Sequence, residues 1–272
     1  MSGDPALEYG YARLSARLAM RPDERLWRQL RSARSLQAAV DAVRGSAAAP
    51  YVAGVGLHGS IDDIELAFRQ HLRARIREAT AWAPQAWRAA LRWAEVLIDL
   101  PAVQHLLGDA PLPKWLRGDP HLAVYAAADR AGRRARLATG PLAPLAAAMQ
   151  TSARPPRHAL RRDSPHPMLA AWLQGWQQRW PCCGDEQLTA LRLLQRTMQL
   201  HVAAFGTLPP EAATPARERL AERLRRQLHD AAAQPAALFA YLLLVALDLE
   251  RLRGEFALRA ADLTFTDVEV VA

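Results

Sequence analysis

Apolar residues recur along this chain at three- and four-residue steps, the spacing of a helix face rather than of a strand. The clearest stripe is Ile61, Ile64, Phe68, Leu72, Ile76 and Ala79, with Arg69, Arg73 and Arg77 lying off it. Ser60 and Asp63 stand just ahead of it at the spacing of a capping box. Pro22 followed by Asp23 and Glu24 reads as a first turn, and Ser35 can cap a segment that stops near Gly45. Pro84 restarts a helix carrying Trp87, Leu91, Ala94 and Ile98, and Pro101 kinks or divides it. Asp119 and Pro120 start another, closed by Gly132. Further helices are expected over 168–180, 186–205, 216–233 and 236–261. Residues 46–59 and 108–120 read as connections, 151–167 as a Pro/Arg-rich loop and 263–272 as an extended tail.

Two of these segments differ in kind. In 216–233 a narrow stripe of Leu220, Leu224 and Leu228 is flanked by Arg and Glu, the pattern of a surface helix. The segment from Ala236 is apolar all round for three turns, the pattern of a central one. A surface helix feeding a buried one predicts a helical hairpin. Trp172, Trp176 and Trp180 recur every four residues and predict one packed face.

Composition strengthens the helical reading. Of 272 residues, 56 are Ala, 41 Leu and 34 Arg, against only 12 Val, 4 Ile and 9 Thr. Good helix formers dominate and β-branched residues are scarce, which predicts an all-α chain of about eight to eleven helices. The longest apolar run, 236–247, is too short to span a bilayer, which needs about 20 residues. Asp4 and Glu8 precede any apolar run, so no signal peptide is expected. Cys182 and Cys183 are the only cysteines, which suits a reducing compartment and excludes a disulfide framework.

The net charge is +8, and its distribution is uneven. Between Asp129 and Asp163 lie eight arginines, Arg130, Arg133, Arg134, Arg136, Arg154, Arg157, Arg161 and Arg162, with no acid between Arg130 and Arg162. A solvated loop is the plain reading; an anionic contact explains the clustering better. Arg154, Arg157, Arg161 and Arg162 are therefore the candidate partner-facing residues. The nearby tryptophans also offer stacking platforms, so an Arg-rich nucleic-acid-binding protein is the alternative, although no recognised module is present.

Catalytic chemistry finds little purchase. Gly54-Val55-Gly56 with Gly59 lacks the lysine and the preceding strand of a phosphate loop. Adjacent cysteines without a CxxC partner do not make a zinc site. His58 with Asp62 and Asp63 can be assembled into an acid/base group on paper, but acids there are explained by a helix N-terminus. No catalytic, metal-binding or cofactor-binding residue is assigned, and no cofactor is expected.

The chain echoes itself. The segment 99–107, beginning Asp99-Leu100, and the segment 248–256, beginning Asp248-Leu249, each set an acid ahead of apolar residues four and eight positions later. Spacing alone favours chance among Leu-rich helices; the sharper reading is a duplicated helical unit. Tyr9-Gly10-Tyr11-Ala12-Arg13-Leu14-Ser15-Ala16-Arg17 stands at the start, and the long helix from Ile61 is followed by Asp99 to Leu107. Ala240-Tyr241-Leu242-Leu243 leads through Asp248 to Leu252 and Arg253, ahead of a short tail rich in Val and Glu ending at Ala272. In order, these segments resemble the C-type subunit of the V/A-type rotary ATPases, the d-type subunit of the eukaryotic enzymes. The likeness covers about half the chain. Val245, Ala246 and Arg251 stand where members usually carry a basic-acidic pair and an Asn, so the chain resembles a divergent bacterial member.

The resemblance implies a single, funnel-like helical body of repeated units. It implies a non-catalytic adaptor on the cytoplasmic face of the membrane, linking the central stalk (its D- and F-type subunits) to the proteolipid ring. Such an adaptor transmits torque, has no small-molecule substrate and leaves ion pumping to its neighbours.

Overall fold

The computed structural model describes residues 4–56, 59–126, 129–152, 166–205 and 207–269. Among them it is all-α, with no strand. Three short helices come first: α1 (Pro5–Leu18), α2 (Glu24–Ser32) and α3 (Leu36–Arg44). Their starts are set by side chains that satisfy free backbone donors. Asp4 accepts from the Ala6 N–H, Asp23 from the Leu26 N–H and Ser35 from the Ala38 N–H. A 3₁₀ turn at Ala49–Val52 interrupts the expected 46–59 loop, and Tyr51 and Val52 there are buried.

Helix α4 (Ile61–Trp82) starts on the anticipated capping box: the Asp63 N–H donates to Ser60 Oγ, and the Ser60 N–H donates back to Asp63 Oδ2. Pro101 divides rather than kinks its helix, leaving α5 (Arg88–Ile98) and α6 (Leu100–Leu107). The 108–120 connection contains one short helix, α7 (Lys114–Gly118). The helix expected from Asp119 to Gly132 is instead two, α8 (Ala123–Ala126) and α9 (Arg130–Thr139). Gly132 does not end a helix, because Asp129 caps α9 by accepting the Gly132 N–H, which places the glycine in the first turn.

The chain continues with α10 (Ala143–Ser152), α11 (Pro167–Gln177), α12 (Asp185–Phe205), α13 (Pro210–Asp230) and α14 (Pro235–Glu269), fourteen α-helices among the described residues. The expected extended tail over 263–272 is corrected as far as Glu269, since α14 continues to that residue. No proline interrupts it after Pro235, and a side chain on Gly254 would meet open space, so nothing local stops the helix. Its anchoring also reaches late. Arg259 donates to the carbonyls of Leu30 and Ala33, which capping groups must satisfy at the end of α2.

Helix α14 is the axis of the body, packing against α13, α4, α1, α12 and α3. Every residue from Ala236 to Leu242 is buried, as a helix apolar all round requires. The hairpin with α13 is present. Leu224 and Leu228 are buried, Leu220 is partly so, and Ala233 turns the chain with φ 56°, a left-handed conformation that carries a steric cost for a residue with a Cβ.

The tryptophan face also forms. Trp172 and Trp176 stack with ring centroids 5.7 Å apart, and Trp180 meets Trp176 edge-on at 4.9 Å. Across from them, Trp93 Nε1 donates to the Trp172 carbonyl at 2.9 Å, and Trp172 Nε1 returns a bond to the Trp93 carbonyl at 3.1 Å. This exchange ties α5 to α11 and satisfies two indole donors inside the core.

Candidate functional site

The main charged cluster lies inside the body. Arg69 and Arg73, one turn apart on α4, are 4% and 2% exposed, although they fall off the apolar stripe. They are buried because two carboxylates meet them there. Arg69 Nε donates to Asp119 Oδ2 at 2.8 Å, its Nη1 to the Ile98 carbonyl at 2.9 Å and its Nη2 to Asp99. Arg73 Nη1 donates to both oxygens of Asp119, at 3.0 and 2.8 Å, and its Nη2 donates to Asp99 Oδ1 at 2.8 Å. Two guanidinium forks against two carboxylates leave the group neutral, the condition for burying charge without an unmatched ion.

The surroundings complete the cluster. The Arg69 guanidinium lies 4.6 Å from the centroid of the Trp115 ring, and Arg253 on α14 reaches Glu65 at 2.9 Å, one turn before Arg69. Burial pushes against ionisation of Asp119, but the hydrogen bonds from Arg69 and Arg73 outweigh it and hold the carboxyl below its ordinary range. Asp99 moves up, because burial and the neighbouring Asp119 charge exceed the pull of the same two arginines.

A second cluster joins the ends of the chain. Arg21, just after α1, holds Asp248 of α14 with two bonds, Nε to Oδ2 at 2.6 Å and Nη2 to Oδ1 at 2.9 Å. Tyr51 Oη donates to the same carboxylate at 3.4 Å, and His71 stacks on the Tyr51 ring at 5.0 Å. Burial and the nearby Arg75 charge lower the His71 pKa to about 4, so its ring is neutral near pH 7. The two acids of the internal echo, Asp99 and Asp248, are thus both buried and both arginine-bound. Their local settings differ: Asp99 sits at the break between α5 and α6, while Asp248 lies within α14.

Of the expected anionic contact, the described part is α9. Arg130, Arg134 and Arg136 are exposed there; Arg130 pairs with Asp109, and Arg136 donates to the Val124 carbonyl. Arg154, Arg157, Arg161 and Arg162 lie outside the described residues. So does His58, while Asp63 serves the α4 cap and Asp62 accepts the Trp115 N–H at 2.9 Å, so both carboxylates have structural work. Cys182 is exposed and Cys183 half-buried, both free thiols. Among the described residues no group of three or more His, Cys, Asp or Glu could hold a metal ion, and no helix is long and apolar enough to cross a membrane.

Arg69 and Arg73 are invisible as core residues in the sequence, because their partners stand 26 to 50 residues away. Arginines one turn apart beside the apolar stripe of a long helix, followed by aspartates at later helix boundaries, are the signal that could have found them. Compared with known proteins, the chain matches no family model, no curated protein and no solved structure.

Proposed function

We propose that this chain is a non-catalytic adaptor of a V/A-type rotary ATPase, seated at the cytoplasmic face of the membrane between central stalk and proteolipid ring. The observation that carries the reading is the ordered set of three segments resembling the C-type subunit of that family. The chemistry of the body is compatible with it. A part that passes torque must resist deformation, and close-packed helices crossed by buried bidentate arginine–carboxylate links are stiff. Arg21–Asp248 links the region after the first matching segment to the third, and Arg69/Arg73–Asp99 secures the second. The Arg-rich stretch from Arg130 to Arg162 then serves to grip an acidic neighbour.

Affinity purification of the tagged chain from its native membranes tests this. Stalk and proteolipid subunits should come with it; a chain recovered without either overturns the reading. The exposed arginines of α9 favour one second reading, a nucleic-acid binder. That reading requires affinity that falls steeply as salt rises.

A further inference from the structure

Two cavities lie in series between α4, α5, α11, α12 and α14, and the rotor reading uses neither. The inner one, about 130 Å³, is walled by apolar side chains, among them Leu72, Ile76, Trp172, Trp176, Phe239 and Leu242. The outer one, about 310 Å³, continues between α6, α11, α12, α13 and α14. Leu97, Met198, Leu243 and Ala246 belong to the walls of both, so the chambers adjoin across these four residues. Polar side chains enter only the outer chamber: Gln104, His166, His201 and Glu250. Gln104 and His166 are exposed, which places the mouth at that end.

We infer that this pair of chambers is a binding site for one unbranched fatty acid, its hydrocarbon chain directed inward and its carboxylate held at the mouth. The inner chamber has about the volume at which an apolar cavity stays dry and takes a small hydrocarbon. A file of methylenes suits that volume and its apolar lining. Together with the outer chamber it reaches the size of ordinary ligand pockets, apolar with few polar groups at one end. Those polar groups suit a carboxylate. Gln104 supplies amide donors and the two histidines supply ring N–H groups. The one acid at the mouth, Glu250, is already bound by Arg217 at 2.7 Å, which reduces its repulsion of a second carboxylate. Ala246 leaves room at the junction where a larger side chain would close it.

The test is titration of the isolated full-length chain with cis-parinaric acid, an unbranched fatty acid that fluoresces in apolar surroundings, followed by displacement with palmitate or octanoate. The expected result is saturable binding of one molecule per chain. Palmitate should displace at least ~10-fold more tightly than octanoate, because each added buried methylene adds affinity. Ala246→Phe at the junction and Ala94→Leu in the inner chamber should each weaken binding at least ~10-fold while the helical circular dichroism is kept. Non-saturable binding, equal affinity for the two acids, or folded variants that bind as the parent does would overturn the inference. Should neither variant fold, the palmitate-to-octanoate ratio on the parent chain decides. None of these readouts depends on assembly with an ATPase, so the two proposals fail separately.

Discussion

Arg21 and Asp248 stand 227 residues apart in sequence and share a bidentate salt bridge, with both side chains less than a tenth exposed. The pair closes the body by tying the turn after α1 to the middle of α14. Removing one partner strands the other charge in the core, so Asp248→Ala should cost about 3–5 kcal/mol in urea unfolding. The double variant Arg21→Met/Asp248→Leu, which replaces both charges with apolar side chains, should recover most of that loss. A double variant no more stable than the single would show that the charges contribute more than mutual neutralisation.

Two helical glycines should respond in opposite directions to the same substitution. A Cβ on Gly175 would lie 2.6 Å from Trp93 Cζ2 and 2.9 Å from Cε2, atoms held by the reciprocal indole bonds and covered by Arg179. Gly175→Ala should therefore destabilise by about 1–3 kcal/mol, although alanine is the better helix former. Gly254, with open space around the added carbon, should gain about 1 kcal/mol from Gly254→Ala. Thermal unfolding of the two variants side by side measures both signs.

His71 predicts a pH dependence. Its pKa falls from 6.5 to about 4 on folding, so between those values the unfolded chain binds the extra proton. Its contribution is fully present above about pH 6.5 and is lost as the pH falls toward 4, amounting to roughly 3 kcal/mol. His71→Phe keeps an aromatic ring beside Tyr51 and should flatten the stability profile in that window. His201, also lowered by burial, leaves a residual slope. A profile unchanged by the substitution would show that His71 titrates alike in the folded and unfolded chain.

Local chemistry is readable in the sequence, and distant partnerships are not. Ser60 with Asp63, Ser35, and the four-residue steps of Trp172, Trp176 and Trp180 each depend on neighbours within one turn, and the structure places them as expected. Gly132 misleads because its role depends on whether the helix begins before or after it, and Asp129 decides that it begins before. Asp119 has the look of a helix start, but its carboxylate faces Arg69 and Arg73 and also takes the His121 N–H. Only the fold brings those groups together, so periodicity along α4 leaves two core arginines off its buried stripe.

The partner grip is the least local expectation of all. Changing Arg154, Arg157, Arg161 and Arg162 together to Glu should release the neighbouring subunits in co-purification while the helical circular dichroism stays the same. Undiminished co-purification would move the grip to another surface.

The proposed mechanical coupling of rotation is tested by ATP-driven ion uptake into membrane vesicles from cells with and without the chain. Uptake should disappear on deletion and return when the intact chain is restored. Full uptake in its absence would contradict it.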